Sequence, residues 1–297
     1  MVGHGLAVLF ALLAAVFLAI GIVVRQRATM DVPPEKGVSI VMLRTLLGAP
    51  LWWAGTAAAV AGYGFQALAL GWGSLLLVQP VLVSALLFAL PLSAHLAGRR
   101  VTRAEWIWAL VLTGSLTVFV VLARATSGDY DIPVSVTVAV AVVCTAAVLA
   151  CVIVATRSTN WRRAVLLAVA VGVLFGVVAV LTKIVMHMLI EGRVVSALTT
   201  PALYLVLALG VVATLLQQSA FHAGSLQTSV PTMLVLEPVV AVLLGAIVLG
   251  EHLSISGLEP VALVIAIGAM AAATIALGHD EGAYEEELEA EVARRAA

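Results

Sequence analysis

Charge is what this chain has least of. Of its 297 residues only 10% are Asp, Glu, Lys or Arg, against 63% hydrophobic, and mean hydropathy is +1.17. A soluble globular domain carries about a quarter of its residues as charges, so that class is excluded and an integral membrane protein is left. Nor is there an excess of one sign: 15 Lys+Arg stand against 16 Asp+Glu, net −1. That balance gives no footing to a nucleic-acid partner or to a basic peripheral membrane binder. Cysteine is nearly absent. Cys144 and Cys151 lie seven residues apart in one apolar stretch, about 10 Å along a helix, too far to bridge and without the neighbouring His or acid of a metal site. No nucleophile triad, Walker loop or H-E-x-x-H is present, which speaks against an enzyme or a nucleotide-driven pump, and no cofactor is expected.

Long apolar runs take the place of what is missing. They cover 6–24, 51–70, 74–96, 106–123, 134–155, 164–190, 202–224, 228–249 and 258–277, each near the 20 or so residues needed to cross a bilayer. None alternates polar and apolar residues as a barrel strand does, so all are read as helices. The first run lacks a basic n-region and has its positive charges behind it, so it reads as a retained span rather than a cleaved signal. Segment 37–50, apolar but short and carrying Arg44, reads as an interfacial helix or a tenth span. The expected fold is therefore an all-α polytopic protein of nine to ten transmembrane helices in the cell membrane. Arginines cluster at 99, 100 and 103 and at 157, 162 and 163, which places those loops, and with them the C-terminus, in the cytoplasm. The tail 278–297 is polar and acidic and reads as a solvated end, a short surface helix or disorder.

The chain also aligns with itself. At an offset of 151, Pro50 meets Pro201, Gln66 meets Gln217, Gly73 meets Gly224 and Ser74 meets Ser225. With the offset drifting, Pro80 meets Pro238, His95-Leu96 meets His252-Leu253, Glu105 meets Glu259 and Gly114 meets Gly268. Span 51–70 runs outward and its counterpart 202–224 runs inward, so the two halves, 1–123 and 124–277, are expected to be inverted-topology repeats. Such repeats characterise secondary transporters, whose site lies at the midplane between the halves.

Two charges stand deep in the spans, Lys183 and Glu237, each read as mid-span. A bare charge there costs about 3 kcal/mol or more, so both must face the interior, most economically each other. Glu237 reads as a protonatable or cation-facing group, and Lys183 as its gating partner or an anchor for an anionic substrate. The structural alternative is an ion pair that only joins two helices. Glu237 precedes Pro238, with Pro231 seven residues earlier, and in the other half Gln79 precedes Pro80, so helix breaks are expected at Pro80, Pro231 and Pro238 beside polar side chains. Gln66, Gln217 and Gln218 line the cavity or join helices. Tyr63 is a candidate substrate contact, Trp52 and Trp53 read as interfacial anchors, and His187 and His222 are weaker candidates for a proton path. Gly172 and Gly176, four residues apart, predict close helix packing.

These features together resemble the drug/metabolite transporter superfamily, its EamA-like members in particular: the repeat, the proline after a polar residue in corresponding helices, and Leu249-Gly250-Glu251 closing the penultimate span. Leu51-Trp52-Trp53-Ala54-Gly55, Gly73-Ser74 and Val78-Gln79-Pro80 look like the NIPA-type magnesium transporter branch within it. The resemblance implies a small-molecule or ion substrate carried by alternating access. Ala61-Gly62-Tyr63 departs from that branch, which has an acidic residue after Ala-Gly, and Mg²⁺ prefers several oxygen ligands including carboxylates. A small polar or amphipathic organic solute, with or without proton coupling, is therefore the first expectation, Mg²⁺ the second, and a non-transporting membrane scaffold the third.

Overall fold

A computed structural model describes residues 2–30, 48–96, 100–122, 125–126, 134–158, 160–223, 226–253 and 259–296. Segment 37–47, which carries most of the contested tenth span, lies outside them. The elements are α1 (Val2–Met30), α2 (Pro50–Trp72), α3 (Leu75–Leu82), α4 (Ala85–Leu96), α5 (Arg103–Leu122), β1 (Ala125–Thr126), α6 (Val134–Thr156), α7 (Asn160–Ile190), α8 (Val194–Thr199), α9 (Pro201–Ala223), α10 (Leu226–Val248), β2 (His252–Leu253) and α11 (Glu259–Ala296).

Among the described residues, six helical stretches are long and apolar enough to cross a membrane: Gly3–Val24, Leu75–Leu92, Arg103–Leu122, Ser135–Thr156, Arg162–Ile190 and Glu259–Leu277. In Pro201–Gln217 and Thr232–Val248 the apolar stretch is shorter, inside helices of 23 residues. Helix α2 also has 23 residues, about 34 Å of rise. This is an all-helical, multi-pass membrane protein. Its outward faces are apolar as lipid requires: Val60, Leu110, Val121, Val143, Val195, Leu207 and Val264 are each more than 55% exposed.

Packing follows the small residues. Helix α1 lies along α2 and α4, α7 along α6, α9 and α10, and α5 along α11, while α10 also touches α3 and α11. On the α7–α10 seam the glycine pair acts as its spacing predicts. A Cβ at Gly172 would stand 2.9 Å from the Leu236 Cβ, and one at Gly176 would stand 2.6 Å from a Val240 methyl. Between α5 and α6, and between α10 and α11, a two-residue antiparallel bridge pairs Ala125 with Leu253 and Thr126 with His252.

Two expectations about breaks come out differently. The span 74–96 is interrupted, but at Val83–Ser84, three to four residues past Pro80, where Val83 N–H donates to the Pro80 carbonyl and Ser84 N–H to the Val81 carbonyl. Helix α10 is not broken at Pro231 or Pro238 and runs through both. Proline removes one hydrogen bond, and the helix holds because Leu236 and Val240, on either side of Pro238, are clamped against the two glycines of α7. Helix α11 likewise continues past residue 277, so the polar tail is helical to Ala296.

Candidate functional site

Lys183 is the largest fully buried side chain among the described residues, 2% exposed, and it does not face Glu237. Its Nζ lies 3.0 Å from Glu251 Oε1, in a pair whose side chains are 2% and 0% exposed. The same ammonium donates to the Leu70 carbonyl at 3.3 Å and to the Gly73 carbonyl, at the C-terminal end of α2, where carbonyls have no helical partner and the helix dipole favours a cation. Glu251 Oε2 accepts the Leu76 N–H at 3.3 Å, in the first turn of α3, where the complementary argument favours an anion. Ser74 caps that turn through a bond from Leu77 N–H at 3.2 Å. One ion pair therefore joins the α2–α3 junction, α7 and the end of α10.

Local sequence explains how Glu251 gets there. Gly250 has φ +65°, a conformation that favours glycine, and ends α10 by turning the chain back. Leu249 and Glu251 N–H groups both donate to the Gly245 carbonyl at 3.1 Å. Gly245 is needed for closeness: a Cβ there would stand 3.0 Å from Glu251 Oε2 and 3.1 Å from the Leu75 Cβ. The expectation that Lys183 and Glu237 pair is thus overturned by a partner that sequence spacing hides. Glu251 follows its span rather than sitting inside it, as the last residue of Leu249-Gly250-Glu251. Lys183 is also off-centre, seven residues or about 10 Å before the end of α7.

Beside the pair opens a cleft of about 270 Å³, lined by Ile184, His187, Arg193, Val248 and Leu249 among others. At its edge Glu191 bridges His187 at 3.1 Å and Arg193 at 2.6 Å, so these polar groups serve one another.

Glu237 stands at the centre of α10, eleven residues or about 17 Å below Val248. It shares a face with Met233, Ala241 and Leu244, which are 5%, 0% and 7% exposed, yet Glu237 itself is only half-buried. The apolar core divides at its level. Met233 belongs with Leu167, Val171 and Ala220, whereas Ala241 and Leu244 belong with the larger cluster built from α1 to α5, α7 and α11. Among the described residues the Glu237 carboxylate has no hydrogen-bond or ion-pair partner.

The other expected residues distribute as follows. Gln79 is 2% exposed on α3, and its Nε2 has no partner among the described residues; Ser84 Oγ, also buried, has none either. Gln217, half-buried on α9, donates to the Met233 sulfur at 3.9 Å. Gln66 is half-buried on the α2 face that holds Ala59, Gly62 and Ala69. Tyr63 is 54% exposed, on the outward side of α2 and so away from the interior, because it follows Gly62 by 100° around the helix. Trp53 is 51% exposed and meets Trp52 edge-on at 5.0 Å. The side chains of Gln218, His222 and Pro231 lie outside the described residues. No group of three His, Cys, Asp or Glu side chains converges among the described residues.

Comparison with known proteins yields one informative relative, an uncharacterized protein of Corynebacterium glutamicum, 38% identical over 272 residues that cover 92% of this chain and 94% of the relative. No protein-family profile and no solved structure matches the chain.

Proposed function

Because the chain belongs to the same family as this Corynebacterium glutamicum protein, whose name assigns no activity, we propose from the geometry that it is a secondary transporter of a small polar or amphipathic organic solute, working by alternating access in the cell membrane. The observation that carries this reading is the vertical separation of two charged layers: a closed ion pair, Lys183 with Glu251, at the level of Gly245, and a carboxylate without a partner among the described residues, Glu237, eight residues or about 12 Å further along α10 where the core divides. A charge without a partner inside a membrane span is costly, and a carrier keeps one where a substrate or proton compensates it. In this scheme the ion pair closes the outer end, and Glu237 takes up a proton or substrate from the inner side. The pattern of packing supports a repeat, since α1 lies along α2 and α4 as α7 lies along α9 and α10, while α5 meets its counterpart α11. Nine or ten spans in two inverted halves, a cytoplasmic C-terminus and membership of the drug/metabolite transporter superfamily complete the proposal. The organic solute ranks above Mg²⁺ because Glu237 offers one carboxylate, whereas Mg²⁺ is held in an octahedron of oxygens and usually shares one or two carboxylates with waters and phosphates.

The test is flux in proteoliposomes, with empty liposomes and Glu237→Gln alongside. Counterflow of labelled organic solutes that saturates in wild type and vanishes in Glu237→Gln is the expected result, together with a pH dependence of flux that the variant loses. Mg²⁺ influx, read by an internal indicator and lost in the same variant, promotes the ion reading. Absence of either flux in folded protein leaves a scaffold.

A further inference from the structure

The cleft between α6, α7 and the end of α10 has no part in the transporter reading, whose site is Glu237, eleven residues or about 17 Å along α10 from Val248. Its chemistry follows from how α7 ends. Gly192 has φ +76° and closes the helix: Gly192 N–H donates to the Leu189 carbonyl at 3.1 Å and Arg193 N–H to the Met188 carbonyl at 2.9 Å. That turn folds Arg193 back over the last residues of α7 and into the cleft wall. Glu191 is not part of the lining. From the edge its two oxygens hold one nitrogen each of His187 and Arg193, and the other guanidinium donors have no partner among the described residues.

Arg193 is thus the permanent charge among the described side chains that line the cleft, with the His187 imidazole and the Thr137 hydroxyl as its polar company. Thr137 lies in the first turn of α6, at the positive end of that helix dipole. The C-terminal ends of α7 and α10 also reach the cleft, but the Met188, Leu189 and Gly245 carbonyls are already bonded to N–H groups. The rest of the lining is apolar: Ile184 and Met188 from α7, Val248 and Leu249 from the end of α10. A volume of about 270 Å³ equals about nine waters at roughly 30 Å³ each, room for a head group and a chain of about six carbons.

We infer that this cleft binds an amphipathic oxyanion, a carboxylate or phosphate monoester on a short hydrocarbon chain. The guanidinium of Arg193 offers its fork of N–H donors to the head-group oxygens. The chain covers the four apolar side chains. Glu191 keeps the guanidinium in place while the cleft is empty and competes with the ligand for it. A soluble acid and the head group of an anionic lipid share this chemistry, and the measurement below tells them apart.

The test is equilibrium binding of tritiated hexanoate to the full-length protein in phosphatidylcholine nanodiscs, with binding to empty discs subtracted. Saturable binding is expected, displaced by unlabelled hexanoate and by hexyl phosphate but not by hexanol, hexylamine or acetate at equal concentration. Arg193→Gln is expected to weaken it about ten- to hundredfold. Glu191→Gln is expected to strengthen it, because the guanidinium then has no internal competitor; a cation site predicts the reverse. Both side chains are about half exposed, 53% and 43%, so these variants leave the packing intact, and monodisperse elution checks it. Val248→Phe fills the cleft without altering its charges and is expected to abolish binding; where it fails the elution check, the two polar variants decide. In discs that contain phosphatidylglycerol, loss of hexanoate binding assigns the cleft to a lipid head group, and undiminished binding assigns it to a soluble acid. No saturable binding in phosphatidylcholine discs, displacement by hexylamine in preference to hexyl phosphate, unchanged affinity in Arg193→Gln, or weaker binding in Glu191→Gln overturns the inference. No flux is read, so the inference stands or falls apart from the transporter reading.

Discussion

At the scale of single residues, the Lys183–Glu251 pair illustrates how a membrane interior manages a charge. Neither group is left to the other alone: the ammonium also takes two carbonyls at a helix C-terminus, and the carboxylate takes an N–H at a helix N-terminus. Removing one partner leaves the other buried and unsatisfied, at a cost of about 3–5 kcal/mol, whereas removing both with apolar residues of similar size is close to neutral. Lys183→Met and Glu251→Leu are each expected to lower the melting temperature in detergent strongly, and the double variant to recover most of the loss. A double variant no better than the worse single would show that the pair itself is not the source. Gly245→Ala is expected to cost about 1–3 kcal/mol, because its methyl would press on Glu251 and Leu75, and chemical denaturation measures it.

Elements behave less simply than their prolines suggest. Helix α10 keeps its course through Pro238 because the α7 glycines hold it on both sides, so the seam rather than the proline sets its shape. Gly176→Leu is expected to separate α7 from α10 and to destabilise the protein more than the same change at Gly210, where a Cβ meets nothing within 4 Å. Comparable melting temperatures for the two variants would contradict the close seam. Pro238→Ala tests the converse. A proline in a helix interior costs about 3 kcal/mol relative to alanine, so the variant is expected to be at least as stable as wild type, with any loss confined to flux.

For the molecule as a whole, the bridge between Thr126 and His252 joins the turn after α5 to the turn after α10 and fixes both at one end of the bundle. In a background with Cys144 and Cys151 replaced by alanine, Thr126→Cys with His252→Cys is expected to form a disulfide under mild oxidation. Each single cysteine is expected to react from outside the cell with an impermeant maleimide, while Arg294→Cys reacts only after permeabilisation. Labelling of residue 294 from outside would invert the proposed orientation.

How much of this could be read from the amino acids alone depended on whether the signal was local. Composition and run length determined the class, since an apolar stretch of bilayer length has few other folds open to it, and each expected run within the described residues is helical. The Gly172/Gly176 spacing determined a close seam because it rests on helical periodicity. The partner of Lys183 was not legible. Ion pairing depends on which helix ends meet, and Glu251 reaches Lys183 across 68 positions of sequence only after Gly250 turns the chain and Gly245 lets it approach. Tyr63 points outward because of its angle on α2, and Gln79 is buried by neighbours from other elements. The sequence determined that charges inside the bundle would be few and costly; the tertiary structure alone decided which of them cancel, because Coulomb attraction and desolvation act between atoms brought within a few ångströms, at distances that chain order does not specify.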